Sequence, residues 1–287
     1  MRAAVTGLGL KAISWLDERR FFRRIAWQQH NNRFVRELWT RVSRPLRWRT
    51  LPIMSGPARG LRINLHGSAV QFATGAAERP MQEAVVAELH PGATFYDIGA
   101  NVGFVTLLAA RLVGPTGRVV AFEPVPENVA AIRHNLALNG IDWAEVIETA
   151  VARESGSAKL ILSDVSAFSR LATVNVPTGA RGQIEVKVTS LDEFMASGQA
   201  PPPDLVKIDV EGAELEVIEG MRETLARHHP AVLTEVHDCQ AEYAALMAGL
   251  GYKPLNLDEV DVPVENGHRN VHTLAKPAAA DGNAVSP

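Results

Sequence analysis

Cysteine occurs once in 287 residues, at Cys239, which excludes an internal disulfide framework and a cysteine zinc cluster. No apolar run approaches the ~20 residues that span a bilayer. A secretory leader is not expected either: the apolar stretch from Ala3 to Leu16 is interrupted by Lys11, and no small-x-small cleavage site follows before Asp17 and Glu18. Together these absences predict a cytoplasmic protein. Compositional bias is also lacking, since 46% hydrophobic and 21% charged residues exclude a collagen-like or wholly disordered chain. The length suits one large domain, or a core domain plus an extension, with room for a substantial core.

Net charge is nearly absent at −3, but through cancellation: residues 1–62 hold 14 of the 29 Lys+Arg and only three of the 32 Asp+Glu. A basic arm precedes an acidic body. From Trp15 to Leu46 the arm has helical spacing, with Phe34, Val35, Leu38, Trp39, Val42 and Leu46 three and four apart and arginines between them. One reading is a surface-seeking helix for anionic lipid, an acidic glycan or a partner, and the first of these would place residues 1–50 at the inner face of the membrane. The other, which is favoured, is a helix that packs its aromatic stripe on the main domain or on the second subunit of a homodimer. No nucleic-acid partner is expected.

Beyond the arm, Leu61, Ile63 and Leu65 alternate, and Val70 and Phe72 follow a His66-Gly67-Ser68 break, which predicts a hairpin. Strands and helices then alternate down to about Leu274, the pattern of βαβ units in an α/β fold with a mainly parallel sheet. Among the expected elements are a strand over Val146–Val151, a capping box at Ser190-Leu191-Asp192-Glu193 and one helix over Glu214–Arg227. The chain divides into a basic helical extension (1–60), a core domain that opens on the hairpin (61–276) and a disordered tail (277–287).

The most informative segment is Asp97-Ile98-Gly99-Ala100-Asn101-Val102-Gly103, at the end of one strand and the start of an apolar helix. Gly99 and Gly103 lack a Cβ that would obstruct a ligand, and the helix N-terminus favours a carboxylate or phosphate. Asp97 is placed to meet an ammonium or hydroxyl group. One unit later Glu123, in Ala121-Phe122-Glu123-Pro124, is placed to accept both hydrogen bonds of a ribose diol. A dinucleotide site uses similar physics, but Asn101 stands where its fingerprint needs a second glycine, and Asp97 would repel a pyrophosphate. An NAD-dependent oxidoreductase is therefore the runner-up, and a non-catalytic protein that binds anionic surfaces through the arm is a third reading. The loop has a partner for each polar group of S-adenosylmethionine.

Three blocks in order, Asp97–Gly103, Ala121–Asn128 with Asn135–Gly140, and Lys207–Glu214, resemble the FkbM family of S-adenosylmethionine-dependent methyltransferases over roughly Gly75 to Glu235. The resemblance implies a Rossmann-like class I methyltransferase domain, with a seven-stranded sheet and helices on both faces. It also implies O-methylation of a sugar, glycolipid or secondary metabolite. On family grounds Asp97, Gly99, Ala100, Asn101 and Gly103 would hold the methionine end, Glu123 and Pro124 the ribose, and Thr149 and Ala150 the adenine.

The chemistry needs a base for the hydroxyl proton. Asp209 and Glu211, two apart in an extended chain, project to one side, and Glu235 and His237 repeat that spacing on the next strand. Asp209, Glu211 and His237 are the catalytic candidates, with Asp209 equally suited to the cofactor's ammonium and Glu211 to a helix cap. Lys207 reads as a structural partner for an acid. A divalent metal on the same acids would also suit the chemistry, but nothing in their spacing demands one, and a metal-free site is favoured. Glu78 is expected near the pocket mouth, and Ser163–Arg181 reads as a substrate lid or a plain surface loop.

Overall fold

The computed structural model describes residues 46–163, 170–171 and 180–278. The arm helix over 15–45, the lid residues Ser166, Phe168 and Ser169, and the tail beyond Ala278 lie outside the described residues. Among those described, no helix is long and apolar enough to cross a membrane.

Strands β1 (Thr50–Pro52) and β2 (Arg62–Asn64) open the described chain and pair antiparallel, Leu51 opposite Ile63. The expected hairpin thus has the wrong partner: Gln71–Thr74 forms a short helix, α1, closed by Gly75 in the left-handed conformation. Local alternation gives Val70 and Phe72 the look of a strand, but both are buried, and no neighbouring edge claims their backbone. Helix α2 (Arg79–Glu88) follows.

The central elements then run β3 (Thr94–Ile98), α3 (Phe104–Val113), β4 (Arg118–Phe122), α4 (Pro126–Leu138) and β5 (Ala144–Ile147). Next come β6 (Ala150–Val151), β7 (Gly156–Ser163), β8 (Arg170–Leu171), β9 (Ala180–Thr189), α5 (Leu191–Ala196) and β10 (Leu205–Ile208). The chain continues through α6 (Glu214–Glu219), α7 (Arg222–His228), β11 (Ala231–His237), α8 (Gln240–Gly249), β12 (Tyr252–Asn256) and β13 (Asn270–Pro277).

Seven strands form the main sheet in the order β12-β13-β11-β10-β3-β4-β5, parallel except for β13, which runs antiparallel to both neighbours. The expected strand over Val146–Val151 is two strands. β6 leaves the main sheet and joins β9, β7 and β8 in a second, four-stranded sheet. The single helix expected over Glu214–Arg227 is also two. Gly220 divides it, because a Cβ there would lie 2.1 Å from the Ala152 carbonyl. Half of the capping box forms: Ser190 Oγ accepts from Glu193 N at 3.1 Å, while Ser155 Oγ, in place of the Glu193 side chain, accepts from Ser190 N.

Period-two alternation sends successive strand residues to opposite faces. On one face Phe95, Val119, Leu205 and Leu233 pack against Met81 of α2, Leu107 and Leu108 of α3 and Ile132 of α4. On the other, Tyr96, Val120, Val206 and Val232 pack against Phe194 of α5, Val217 of α6, Leu225 of α7 and Tyr243 of α8. Helices on both faces of a mainly parallel sheet make a doubly wound α/β fold. After β3 the chain steps to β4 on one side, and after β10 to β11 on the other, so the order reverses between β3 and β10. A crevice opens there at the carboxyl ends of the strands.

The β1–β2 ribbon is tied on by two asparagines of α4. Asn135 Oδ1 accepts from Asn64 N at 2.7 Å, and its Nδ2 donates to Asn64 O at 3.0 Å and to Val102 O at 2.9 Å. Asn139 pairs in the same two-way manner with the Arg62 backbone. Because Asn135 is fully buried, Asn135→Ala would strand its partners. It is expected to cost about 2–4 kcal/mol, read as a lower denaturant midpoint at unchanged slope. A loss below about 1 kcal/mol would show that the ribbon docks by other means.

Candidate active site

At the crevice the parallel register sets Lys207 beside Asp97 and Ile208 beside Ile98. Lys207 Nζ lies 3.1 Å from Asp97 Oδ1 and 3.6 Å from Asp209 Oδ2, and donates to the Gly99 carbonyl at 2.8 Å. Burial works against the lysine's charge, but Asp97, Asp209 and Glu78 outweigh it and raise its pKa. Asp97 Oδ2 also accepts from Thr106 Oγ1 at 2.6 Å. Asp97 is thus fully buried and turned to Lys207, not to the cavity where an ammonium would be met. In β3 it shares a face with Phe95, which points into the core.

The two glycines of the turn serve the protein's own packing. Gly99, at φ +77°, approaches the Asp209 carbonyl so closely that a Cβ would sit 1.9 Å from it. Gly103, at φ +83°, packs against Ile132, 3.1 Å from where a Cβ would stand. Absence of a side chain lets the tips of β3 and β10 touch, a reason distinct from the ligand approach expected of it.

Glu123, at the tip of β4, bridges the next two loops. Its Oε2 accepts from Asn101 N at 2.9 Å, and its Oε1 from Val125 N at 3.0 Å and Asn128 Nδ2 at 3.1 Å. Burial pushes its pKa up to about 7 against the opposing pull of those donors. Asn101 stands in the left-handed region at φ +53°, with its Oδ1 buried and unpartnered.

A cavity of about 320 Å³ joins these parts, within the range for small-molecule sites. Gly99, Asn101, Glu123, Pro124, Thr149 and Ala150 line it, as do Val125, Val151 and Leu160. Phe72, Glu78, Asp209, Glu211, Glu235 and His272 line it as well. Ala100 borders a smaller adjoining pocket, shared with Glu78, Asn101, Lys207 and Asp209. Gly103 lines neither. Three of the six described non-glycine residues with positive φ, Glu78, Asn101 and Glu211, line the main cavity, so backbone strain concentrates there.

The acids do converge, though not by strand alternation: β10 ends at Ile208, and Glu211 turns at φ +54°. Burial, with Glu235 and Glu214 adding and Lys207 and His237 opposing, raises the Asp209 pKa. Glu78 is pushed up to about 8, by burial first and Asp209 second. His237 is buried, with Nδ1 2.7 Å from Glu214 and Nε2 3.5 Å from Glu235 and 3.7 Å from Glu211. Burial disfavours its charge, but hydrogen bonds to Glu214 and Glu235 and the charges of Glu214 and Glu211 push its pKa up to about 11. An imidazolium at neutral pH has no lone pair with which to take a proton. Asp209, Glu211 and His237 bring donor atoms within 4.8 Å of one another, a spacing that can hold a metal ion once the imidazole loses its proton.

Sequence reasoning missed His272, Phe72, Leu160 and Glu214. His272 enters because β13 runs antiparallel to β11 and sets it opposite Glu235. Glu214 had a signal, since it lies inside the Lys207–Glu214 block.

Such an open sheet, with a cavity at its switch point, a glycine turn on one strand and an acid on the next, makes a Rossmann-like domain built for a nucleoside cofactor, and the family match makes it an S-adenosylmethionine-dependent methyltransferase. Residues 97–254 match the family model described as the methyltransferase FkbM domain. The hexuronic acid methyltransferase AglP of Haloferax volcanii is 29% identical over 160 residues, covering 56% of this chain and 62% of AglP. The 31-O-demethyl-FK506 methyltransferase FkbM of Streptomyces tacrolimicus is 29% identical over 195 residues, covering 58% of this chain and 74% of that enzyme. The solved methyltransferase FkbM from Methylobacillus flagellatus superposes with a TM-score of 0.44 at 13% identity, over 71% of this chain and 60% of that one. The chain belongs to the FkbM methyltransferase family.

The cavity suits this cofactor on its own terms. Glu123 lines the cavity with a carboxylate that would accept from a ribose diol, Leu160 and Ala150 would give adenine an apolar wall, and Asn101 Oδ1 is a buried acceptor without a partner. An ionised Glu123 accepts with both oxygens, whereas a protonated one loses an acceptor. Adenosylhomocysteine affinity, measured by calorimetry, should therefore rise as pH rises through about 7, and the slope should vanish in Glu123→Gln. Stability has the opposite sign: a carboxyl whose pKa is raised in the folded state loses its contribution as pH climbs from the ordinary carboxylate range to about 7. A pH-independent affinity in the unmutated protein would remove Glu123 from the ribose.

Proposed function

We propose that this domain transfers a methyl group to a hydroxyl oxygen of a sugar, glycolipid or secondary metabolite, with Asp209 accepting the hydroxyl proton. The observation that carries the reading is one cavity lined by Glu123 and by the carboxylates of the β10 and β11 tips. S-adenosylmethionine supplies an electrophilic methyl on a sulfonium, and the chain's own residues align the acceptor oxygen and take its proton. Two relatives support an oxygen acceptor on a sugar or secondary metabolite: a hexuronic acid methyltransferase and a 31-O-demethyl-FK506 methyltransferase.

Of the three candidate bases, Asp209 fits best. It lines the cavity and adjoins the Gly99 turn, and its raised pKa brings proton affinity nearer to neutrality. Glu211 faces the His237 imidazole at 3.7 Å. His237, already protonated, is better suited to holding Glu211 and Glu235 in place.

The test is a pair of measurements on Asp209→Asn. Methyl transfer to an accepted substrate should fall by about 10²-fold or more, while adenosylhomocysteine affinity stays within about threefold. Retention of more than about a tenth of the rate would move the base elsewhere. Failure of the unmutated protein to bind adenosylhomocysteine at millimolar concentration would end the methyltransferase reading.

A further inference from the structure

The cavity wall opposite the ribose acid carries more acid than its own bases neutralise. Three bases stand at or beside that wall, and each makes its shortest carboxylate contact with an acid that does not line the main cavity. Lys207 lies 3.1 Å from Asp97 but 3.6 Å from Asp209. His237 lies 2.7 Å from Glu214 but 3.5 Å from Glu235 and 3.7 Å from Glu211. His272 lies 3.1 Å from Asp258 but 3.9 Å from Glu235. Asp97, Glu214 and Asp258 do not line the main cavity, whereas Glu78, Asp209, Glu211 and Glu235 all do.

Seven carboxyl groups are thus set against three bases; Glu78, its pKa pushed up to about 8, is protonated at neutral pH, and the remaining acids still outnumber the bases. Among the described residues no lysine or arginine lines the main cavity, and its one basic lining residue is His272, whose Nδ1 is held by Asp258 and whose Nε2 is buried without a hydrogen-bond partner, 3.9 Å from Glu235. S-adenosylmethionine brings one net positive charge, from a sulfonium and an ammonium less a carboxylate. That leaves acid unmatched. An acceptor bearing a carboxylate would meet like charge there, with only the His272 Nε2 among the described residues of the cavity to receive it.

We propose that the acceptor carries an ammonium group beside its reacting hydroxyl, as an amino sugar does, and that Glu235 and Glu78 are the specificity-determining residues that receive it. This rests on the reading of the cavity as a methyl-transfer site. The remaining acids keep their roles: Asp209 takes the proton, and Glu211 stays with His237. A uronic acid, the acceptor class named for one relative, is the acceptor this wall disfavours.

The test uses the full chain with labelled S-adenosylmethionine and three methyl glycosides of one ring type: glucosaminide, glucoside and glucuronide. Each is assayed with chelator and again with magnesium, and adenosylhomocysteine binding is measured in parallel by calorimetry. The glucosaminide should be methylated at least about tenfold more efficiently than the glucoside, and the glucuronide least. Glu235→Gln should shrink the glucosaminide-over-glucoside ratio by about fivefold or more while adenosylhomocysteine affinity stays within about threefold. Glu78→Gln serves the same comparison if Glu235→Gln does not fold.

A glucuronide methylated as well as the glucoside would overturn the proposal. So would a glucosaminide left unmethylated by protein that binds adenosylhomocysteine. Loss of the preference when magnesium replaces chelator would also overturn it, because the acids would then be serving a metal ion. Failure to bind adenosylhomocysteine is the separate result that removes the underlying reading and this inference with it.

Discussion

A buried lysine and a buried aspartate, facing each other across two parallel strands, hold the rest of this site in place. Lys207 ties Asp97 to the core, reaches Asp209 and draws the Gly99 carbonyl toward itself. Buried charges of this kind are retained only when each is matched and hydrogen-bonded. Here the match joins the two strands that flank the switch point. Gly99 can then press against the Asp209 backbone, and that contact sets the distance between the cofactor turn and the acid loop.

The same arrangement explains why strain collects around the cavity. Strand tips held this close leave little length in which the chain can turn, and Asn101 and Glu211 take up left-handed conformations that side chains ordinarily avoid. Glu123 then locks the Asn101 turn through its backbone N–H. The turn is therefore shaped by the chain's own hydrogen bonds, and a turn held in this way lowers the ordering cost of binding.

Much of this was legible in the residues. Alternation marked β3, β4 and β10, the glycine turn marked the crevice, and Glu123 stood at the expected strand tip. What escaped was set by register and by distant packing. The expected hairpin failed because β2's partner lies upstream at β1, a choice that local alternation does not encode. Gly220 reads as an ordinary helix glycine until the Ala152 carbonyl is brought against it. Asp97 looked like a ligand group because its spacing from the glycines is right, and only the Lys207 register shows that it faces inward. His272 carries no local signal at all, since an antiparallel strand from the end of the sheet brings it to Glu235.

The asparagines of α4 have a consequence for how freely this protein can change. Asn135 and Asn139 grip the main chain of the ribbon at Asn64 and Arg62 and take no notice of which side chains it carries. Side chains along the ribbon's outer face are therefore open to drift across lineages without loosening the attachment. The two amides are not, because no other residue of that size offers a donor and an acceptor at the same reach.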